Sequence, residues 1–351
     1  YAVSEAEILL TNILYEECMC MCFLYLNEPG MQLTKSGGTY AVCKDKKAVC
    51  RIPAETVEGI VLLGNAHISS PAVADILKRR IPVSWVTSLG KYCGSFQPPS
   101  GQQVLKQEQQ VLMQHTPFAL EMGKRFIDAK MHNQRVFLQR CNRTAKQEEV
   151  KAAALYLKEL QKDIANVQSK TKLMGIEGIA AKTYFAALGK MVREEFAFSG
   201  RSQRPPQDAF NAMLSFGYTM LHNEIYTATV TCGLHPYFGS LHALKNGHAA
   251  LVSDLLEEWR APIIDSMVWA LIQHREIRPE HFEKHAGKKG IYLTAEGRAV
   301  FLRGYEKKMR TSHTSQGTVQ TFRQHVLGQS SQYSRALMHR DVSLYTAYMM
   351  R

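Results

Sequence analysis

Apolar residues are spaced in two different ways along this chain, and the change comes near residue 100. Between residues 23 and 63 they fall in short runs, FLYL, MQLT, YAVC, AVCRI and GIVLL, either continuous or alternating with polar residues. Turn-forming stretches separate the runs: Asn27–Gly30, Lys35–Gly38 and Lys44–Lys47. Strands this short, at this spacing, predict a small antiparallel β-domain. One short helix interrupts it from Pro71 to Arg80, with proline at its start and basic residues at its end, as the helix dipole favours. IPVSWV (81–86) then returns as a strand, and Gln97–Gly101 reads as a linker. Residues 1–22 stand apart as an N-terminal extension. There Ile8, Leu9, Ile13 and Leu14 keep helical spacing from Ser4 to Glu17, and Ser4 with Glu7 forms a capping-box pattern.

From residue 103 the period is helical. VLKQEQQVLMQH, PFALEMGKRFIDAKMHNQRVFLQR and TAKQEEVKAAALYLKELQKDIANVQ predict three successive helices. Further helices are predicted over 175–191, 205–232, 247–274, Thr294–Met309 and 316–340, with Pro205-Pro206 suiting a first turn and Gly233 a stop. The expected fold class is α+β and multidomain. A small N-terminal β-domain (23–102) precedes a larger all-α C-terminal domain (103–351).

Charge adds one thing to this picture. The chain carries 43 Lys/Arg against 31 Asp/Glu, a net charge of +12. Residues 1–100 hold nine of each, so the whole excess lies in the helical part. A basic domain joined to a neutral one points to a polyanionic partner. With 45 % hydrophobic and 21 % charged residues, the composition excludes a disordered or collagenous chain. No apolar run is long enough to span a membrane. The eight cysteines include no CxxC pair. Cys18, Cys20 and Cys22 form the only cluster and lack a second ligand pair at zinc-site spacing, so they read as reduced thiols of a cytoplasmic protein. A P-loop, a GxGxxG after a strand, HExxH and GxSxG are all missing, which leaves the corresponding nucleotide, metalloprotease and hydrolase chemistries unsupported.

Three segments place acidic or metal-binding groups among small or apolar neighbours. Glu177 lies at an expected helix start crowded by Gly175, Gly178, Ala180 and Ala181, where another backbone or a substrate can approach. A first-turn carboxylate is also an ordinary dipole partner. His242 follows a turn-rich stretch, Gly233–Ser240, and a neutral imidazole at such a junction can ligate a metal or simply be structural. Asp254, Glu257 and Glu258 share a helix whose other residues are largely apolar, with Asp254 three and four positions before the two glutamates. Such a face repels itself unless it meets a cation or water, and Glu258 has Arg260 or Lys245 as surface partners. Two carboxylates and an imidazole suit Mg²⁺ or Mn²⁺. In a basic domain they suggest metal-assisted chemistry on a phosphodiester.

At these residues the sequence resembles the CRISPR-associated adaptation integrases, the Cas-one family. The resemblance runs from about 23 to 345 through seven segments in order: LYLNEPGMQLTKSGG, AETVEGIVLLGNAHISSPAV, GIEGIAAKTYF, SQRPPQDAFNAMLSFGYTML, GLHPYFGSLH, NGHAALVSDLLEEWRAPIID and GIYLTAEGRAVFLRGYEKKM. It implies a β-domain for dimerisation and partner contact, and an α-domain for catalysis and DNA binding. It also implies a prokaryotic antiviral-defence protein that acts as a homodimer. Two such dimers would be bridged by a dimer of the small ferredoxin-like protein Cas-two. Some members are fused to or associated with a Cas-four nuclease or a reverse transcriptase, which would account for residues 1–22.

Carried over by motif, the metal ligands are Glu177, His242 and Glu257, with Asp254 a supporting or alternative ligand and Tyr218 a DNA-positioning residue. Ser240 departs from the family pattern, which often has an aromatic there. Backbone contacts to DNA are expected from Arg193, Arg201, Arg204, Lys245, Arg260, Lys288 and Lys289. The reaction implied is spacer acquisition. A prespacer 3′-hydroxyl attacks a phosphodiester at the CRISPR repeat, with Mg²⁺ or Mn²⁺ as cofactor, and water in its place gives endonuclease activity. Two alternatives remain: a catalytically silent DNA-binding scaffold, and a transposon-borne integrase relative.

Overall fold

The computed structural model describes residues 22–351 apart from 46, 88–90, 97–102, 203–204, 285–286, 288 and 316. The expected helix at Ser4–Glu17, Cys18, Cys20, the linker and two DNA-binding candidates, Arg204 and Lys288, lie outside the described residues. Cys22 opens the first strand as a free thiol.

The N-terminal part contains β1 (Cys22–Leu26), β2 (Met31–Ser36), β3 (Thr39–Lys44), β4 (Lys47–Pro53), β5 (Val57–Leu63), β6 (His67–Ile68), α1 (Ser70–Arg79), β7 (Val83–Val86) and β8 (Tyr92–Phe96). They form two four-stranded sheets, ordered β1-β5-β7-β8 and β4-β3-β2-β6. The β2–β3–β4 meander is antiparallel, as the short runs predict. Its first turn is two residues long, and Gly37 takes φ +56° there, a value that favours glycine. β8 also pairs antiparallel, with β7, but β1, β5 and β7 are mutually parallel and β6 runs parallel to β2, which corrects the all-antiparallel expectation. α1 is the crossover from β5 to β7, and an intervening helix is what allows neighbouring strands to run the same way.

The C-terminal part contains α2 (Val104–Met113), α3 (Pro117–Ala145), α4 (Glu148–Lys162), α5 (Lys170–Gly189), α6 (Ala209–Thr231), α7 (Ala250–Leu256), α8 (Ser266–Gln273), α9 (Ala295–Arg310) and α10 (Phe322–His339). Two short hairpins interrupt them: β9 (Phe282–Glu283) with β10 (Tyr292–Leu293), and β11 (Ser312–Ser315) with β12 (Thr318–Thr321). The single helix expected over 247–274 is two helices joined through a π-helical stretch, Arg260–Asp265. Pro262 has no N–H to give the α-helical ladder, so the backbone widens around it. The helix expected from 316 begins at Phe322. Before it Thr321 and Gln324 form a reciprocal capping box: the Gln324 N–H donates to Thr321 Oγ1 (3.2 Å) and the Thr321 N–H to Gln324 Oε1 (2.9 Å).

The two parts share packing. Tyr25, Val61, Leu63 and Val86 belong to the same apolar cluster as the helical core, whereas Leu24, Leu26, Ile60 and Leu62 pack between the sheets. Alternation along β1 and β5 sends successive side chains to opposite faces, one to each core. A buried polar knot reinforces the junction. The Tyr25 hydroxyl donates to Glu306 Oε2 (3.0 Å). Arg323 pairs with Glu306 (2.9 Å) and Glu224 (2.7 Å) and stacks 3.8 Å over the Phe23 ring. No described helix is long and apolar enough to cross a membrane.

Candidate functional site

Asp254 sits on α7 with no exposed surface. An unpaired carboxylate there would be strongly disfavoured, and the loop before α7 supplies its partners. Oδ2 accepts from the Ser240 N–H (2.6 Å) and the Leu241 N–H (2.9 Å). Oδ1 accepts from the His242 N–H (2.9 Å) and meets His242 Nδ1 at 2.7 Å. Gly239 makes the approach possible, since a Cβ there would lie 2.6 Å from Asp254 Oδ2 and 2.8 Å from the Ala250 backbone. With Nδ1 donating to Asp254 Oδ1, Nε2 is the ring nitrogen left to face a ligand. Burial works to lower the His242 pKa, but the hydrogen bond and charge of Asp254 outweigh it and leave the pKa above its ordinary value. Asp254 thus orients His242 and spends both oxygens on the loop. Ser240 is buried too, and its hydroxyl is 2.9 Å from that of Tyr333.

The two glutamates meet on a lysine. Glu177 is not in a first turn: α5 begins at Lys170, capped by Ser169, which places Glu177 two turns inside the helix. Its Oε1 contacts Lys130 Nζ from α3, and the same ammonium is 2.6 Å from Glu257 Oε2. The Lys130 side chain is only 7 % exposed. Arg260 grips Glu257 from the other side, with Nη2 3.1 Å from Oε1 and Nε 3.1 Å from Oε2. Burial works to raise the Glu257 pKa, yet Arg260 and Lys130 overcome it and hold the carboxyl at about 2. Burial likewise works against charge on Lys130, and Glu257 and Glu177 reverse that, so its pKa is raised.

Glu258 corrects a sequence expectation. It is completely buried and does not pair with Arg260 or Lys245. It accepts from Gln329 Nε2 (2.9 and 3.0 Å), the Tyr345 hydroxyl and the Tyr348 N–H (2.8 Å), and burial pushes its carboxyl up to about 7. Neighbouring helical residues point about 100° apart, so Glu257 turns toward Lys130 and Glu258 toward the C-terminal segment.

The expected DNA-contacting residues divide in three. Arg201 and Arg260 line a cleft of about 940 Å³ together with His242, His222 and His248. Lys245 is exposed and lines a neighbouring cleft of about 1550 Å³, which His242 also reaches. Arg193 pairs with Glu195 (2.8 Å) and Lys289 is exposed, and neither lines these clefts. Tyr218 is 7 % exposed, and its hydroxyl points inward to Asp265 Oδ1 at 2.5 Å. The guanidiniums of Arg260 (4.5 Å) and Arg201 (5.4 Å) both lie over its ring, within cation–π reach. Tyr184 donates to the other Asp265 oxygen at 2.7 Å. Burial still keeps Asp265 up at about 6, against the pull of the two hydroxyls.

Lys130, Asp265 and Tyr184 escaped the sequence reading. Lys130 had a signal: it stands on the apolar stripe of α3 with Phe126, Asn133 and Phe137, where a charge is out of place. Among the described residues, no three His, Cys, Asp or Glu side chains are gathered closely enough to hold an ion as they stand. Lys130 occupies the space between the two glutamates. The donor set nevertheless fits a hard divalent cation: two carboxylates, an imidazole, and in Glu257 Oε2 a buried oxygen with ion contacts but no well-directed hydrogen bond.

The family model described as "CRISPR associated protein Cas1" matches residues 24–307. The chain is 34 % identical over 298 residues to "CRISPR-associated endonuclease Cas1" of Mycobacterium tuberculosis, covering 84 % of this chain and 86 % of that one. It is 33 % identical over 301 residues to a "CRISPR-associated exonuclease Cas4/endonuclease Cas1 fusion" of Geobacter sulfurreducens, covering 83 % of this chain and 53 % of the fusion. Among solved structures, a chain of the "Cas6-RT-Cas1--Cas2 complex" superimposes with a TM-score of 0.82 at 27 % identity, over 94 % of this chain and 36 % of that one.

Proposed function

The chain belongs to the Cas1 family of CRISPR-associated proteins, and from that premise we propose that it is a metal-dependent DNA integrase of CRISPR adaptation. In the proposed reaction the 3′-oxygen of a prespacer strand attacks a phosphodiester phosphorus at the repeat boundary. The new P–O bond forms as the old one breaks, and the leaving strand keeps the electron pair and ends as a 3′-hydroxyl. No covalent protein intermediate is required. The same site with water as nucleophile is a DNA endonuclease.

The observation that carries this reading is the meeting of Glu177 and Glu257 on one ammonium, within electrostatic reach of His242. Glu177, Glu257 and His242 Nε2 would hold Mg²⁺ or Mn²⁺. When bound, the ion supplies Lewis-acid polarisation of a phosphoryl oxygen and neutralises developing charge. The remaining work falls to the chain. Asp254 keeps the Nδ1 proton and aims Nε2. Arg260 holds Glu257 ionised and, with Arg201, presents positive charge to the cleft wall where a DNA phosphate would lie. A homodimer, a bridging Cas2 dimer and double-stranded DNA as prespacer and target are the partners this reading takes from the family. The Cas2 complex and the Cas4 fusion named above support it.

The test is strand transfer. The purified chain with its Cas2 partner is incubated with a labelled prespacer and a supercoiled plasmid bearing a repeat array, in Mn²⁺ or EDTA. Label should enter the plasmid only with metal. Glu177→Ala should lower the rate by roughly 10²–10³-fold with DNA binding intact. Metal-independent transfer, or an unaffected mutant, would overturn the assignment.

A further inference from the structure

A divalent cation ligated by the Glu177 and Glu257 carboxylates lies about 2.0–2.2 Å from their oxygens. Lys130 Nζ stands 2.6 Å from Glu257 Oε2 and also in contact with Glu177 Oε1. The ammonium therefore fills the volume such an ion needs, and two cations that close repel strongly in a buried setting. Resting on the metal-dependent reading above, we propose that Lys130 is a built-in counter-ion that the divalent metal displaces. Metal loading is then an exchange at one place, with metal entering as the ammonium leaves.

Three features single out Lys130, and not Arg260, as the group that moves. Arg260 contacts both oxygens of Glu257 and rests on the Tyr218 ring, which Asp265 fixes in turn. The Lys130 ammonium contacts only these two carboxylates among the described residues, on a flexible four-carbon stem. Glu257 Oε2 has no well-directed hydrogen bond to lose when Lys130 withdraws. Until metal arrives, Lys130 keeps the buried Glu257 carboxylate and the half-buried Glu177 carboxylate from repelling each other, so the site stays assembled. Once displaced, it remains tethered to α3 beside the basic cleft, where a DNA phosphate offers a new counter-charge. Metal and DNA binding should therefore strengthen one another, by reciprocity.

The experiment acetylates the full chain briefly with an N-hydroxysuccinimide ester and reads each lysine by mass spectrometry, with exposed Lys158 as internal reference. Lys130 should be protected in EDTA. In millimolar Mg²⁺ its acetylation should rise about tenfold relative to Lys158. In Glu177→Gln, Mg²⁺ should change nothing. In parallel, free Mn²⁺ is followed by its electron-spin resonance signal. Lys130→Met should bind Mn²⁺ about tenfold more tightly than wild type, melt lower in EDTA and recover more on Mn²⁺ addition. If wild type binds Mn²⁺ while Lys130 stays protected, the metal sits beside the lysine; the exchange is then wrong and the metal reading stands. If neither wild type nor Lys130→Met binds Mn²⁺ at millimolar concentration, both fall together. Should Lys130→Met not fold, the acetylation contrast between wild type and Glu177→Gln still decides.

Discussion

Asp254 carries four contacts on two oxygens, and every donor belongs to the loop that bears His242. Asp254→Ala would leave three backbone N–H groups without their acceptor, at a loss of roughly 3 kcal/mol in denaturant unfolding. Asp254→Asn keeps the shape but removes the charge that holds the imidazole tautomer. It should lower strand transfer by about 10–100-fold with a smaller effect on stability. A second residue-scale effect depends on pH. Burial, with help from His248 and Arg260, holds His222 down at about 4. An unfolded histidine takes its proton near 6.5. Between these values the unfolded chain binds the extra proton, so this contribution to stability is present above pH 6.5 and drains away as pH falls toward 4. Asp265, held up at about 6, acts in the opposite sense, because there the folded chain binds more protons. His222→Gln removes the first effect and leaves the second. Its melting temperature, measured against wild type, should therefore be relatively higher at pH 5 than at pH 7.5; an equal difference at both would refute the account. By residue type and spacing the sequence singled out Glu177, His242 and the face bearing Asp254, Glu257 and Glu258, and the family resemblance chose among them. It could not divide their duties, because that division depends on which side of α7 meets the loop and which meets α3.

At the scale of elements, α7 and the π-helical stretch after it face two ways. Glu257 serves the site, and its neighbour Glu258 anchors the C-terminal segment through Tyr345, Tyr348 and Gln329. Asn133 of α3, three residues beyond Lys130, ties the same segment by donating to the Tyr348 carbonyl and accepting from the Met350 N–H. Tyr345→Phe takes one donor from a buried carboxylate. It should lower stability by about 1–2 kcal/mol in thermal or denaturant unfolding, with little change in DNA affinity. Long periodic helices such as α3, α4 and α6 were legible, since their apolar spacing persists over many turns. The break at Pro262 was written in the sequence but masked by strong periodicity on both sides. The hairpins β9–β10 and β11–β12 were not legible, because strands of two to four residues carry too short a pattern to separate from a loop.

For the whole molecule, the β-domain does more than sit in front of the helices. Tyr25, Val61, Leu63 and Val86 complete the larger core, and β1 caps the knot of Glu224, Glu306 and Arg323 through Tyr25 and Phe23. A chain beginning at residue 103 should therefore be poorly soluble and melt well below the full protein, as a thermal scan of the two would show. Charge also acts at this scale. If about six basic side chains contact phosphates, the logarithm of DNA affinity should fall with the logarithm of salt at a slope of roughly −5. Arg201→Ala should reduce that slope by about one. The uneven charge along the chain was legible from composition alone. The parallel pairing of β1 with β5 was not, because it joins runs separated by a whole meander.

The carboxylate beneath the His242 loop has one more consequence, for exchange with solvent. Ser240, Leu241 and His242 belong to no regular helix or strand, yet all three amides donate to Asp254. In deuterium they should exchange as slowly as the helical interior, as three consecutive protected positions inside a loop. Removing that carboxylate, as in Asp254→Ala, would release all three together, before α7 itself opens.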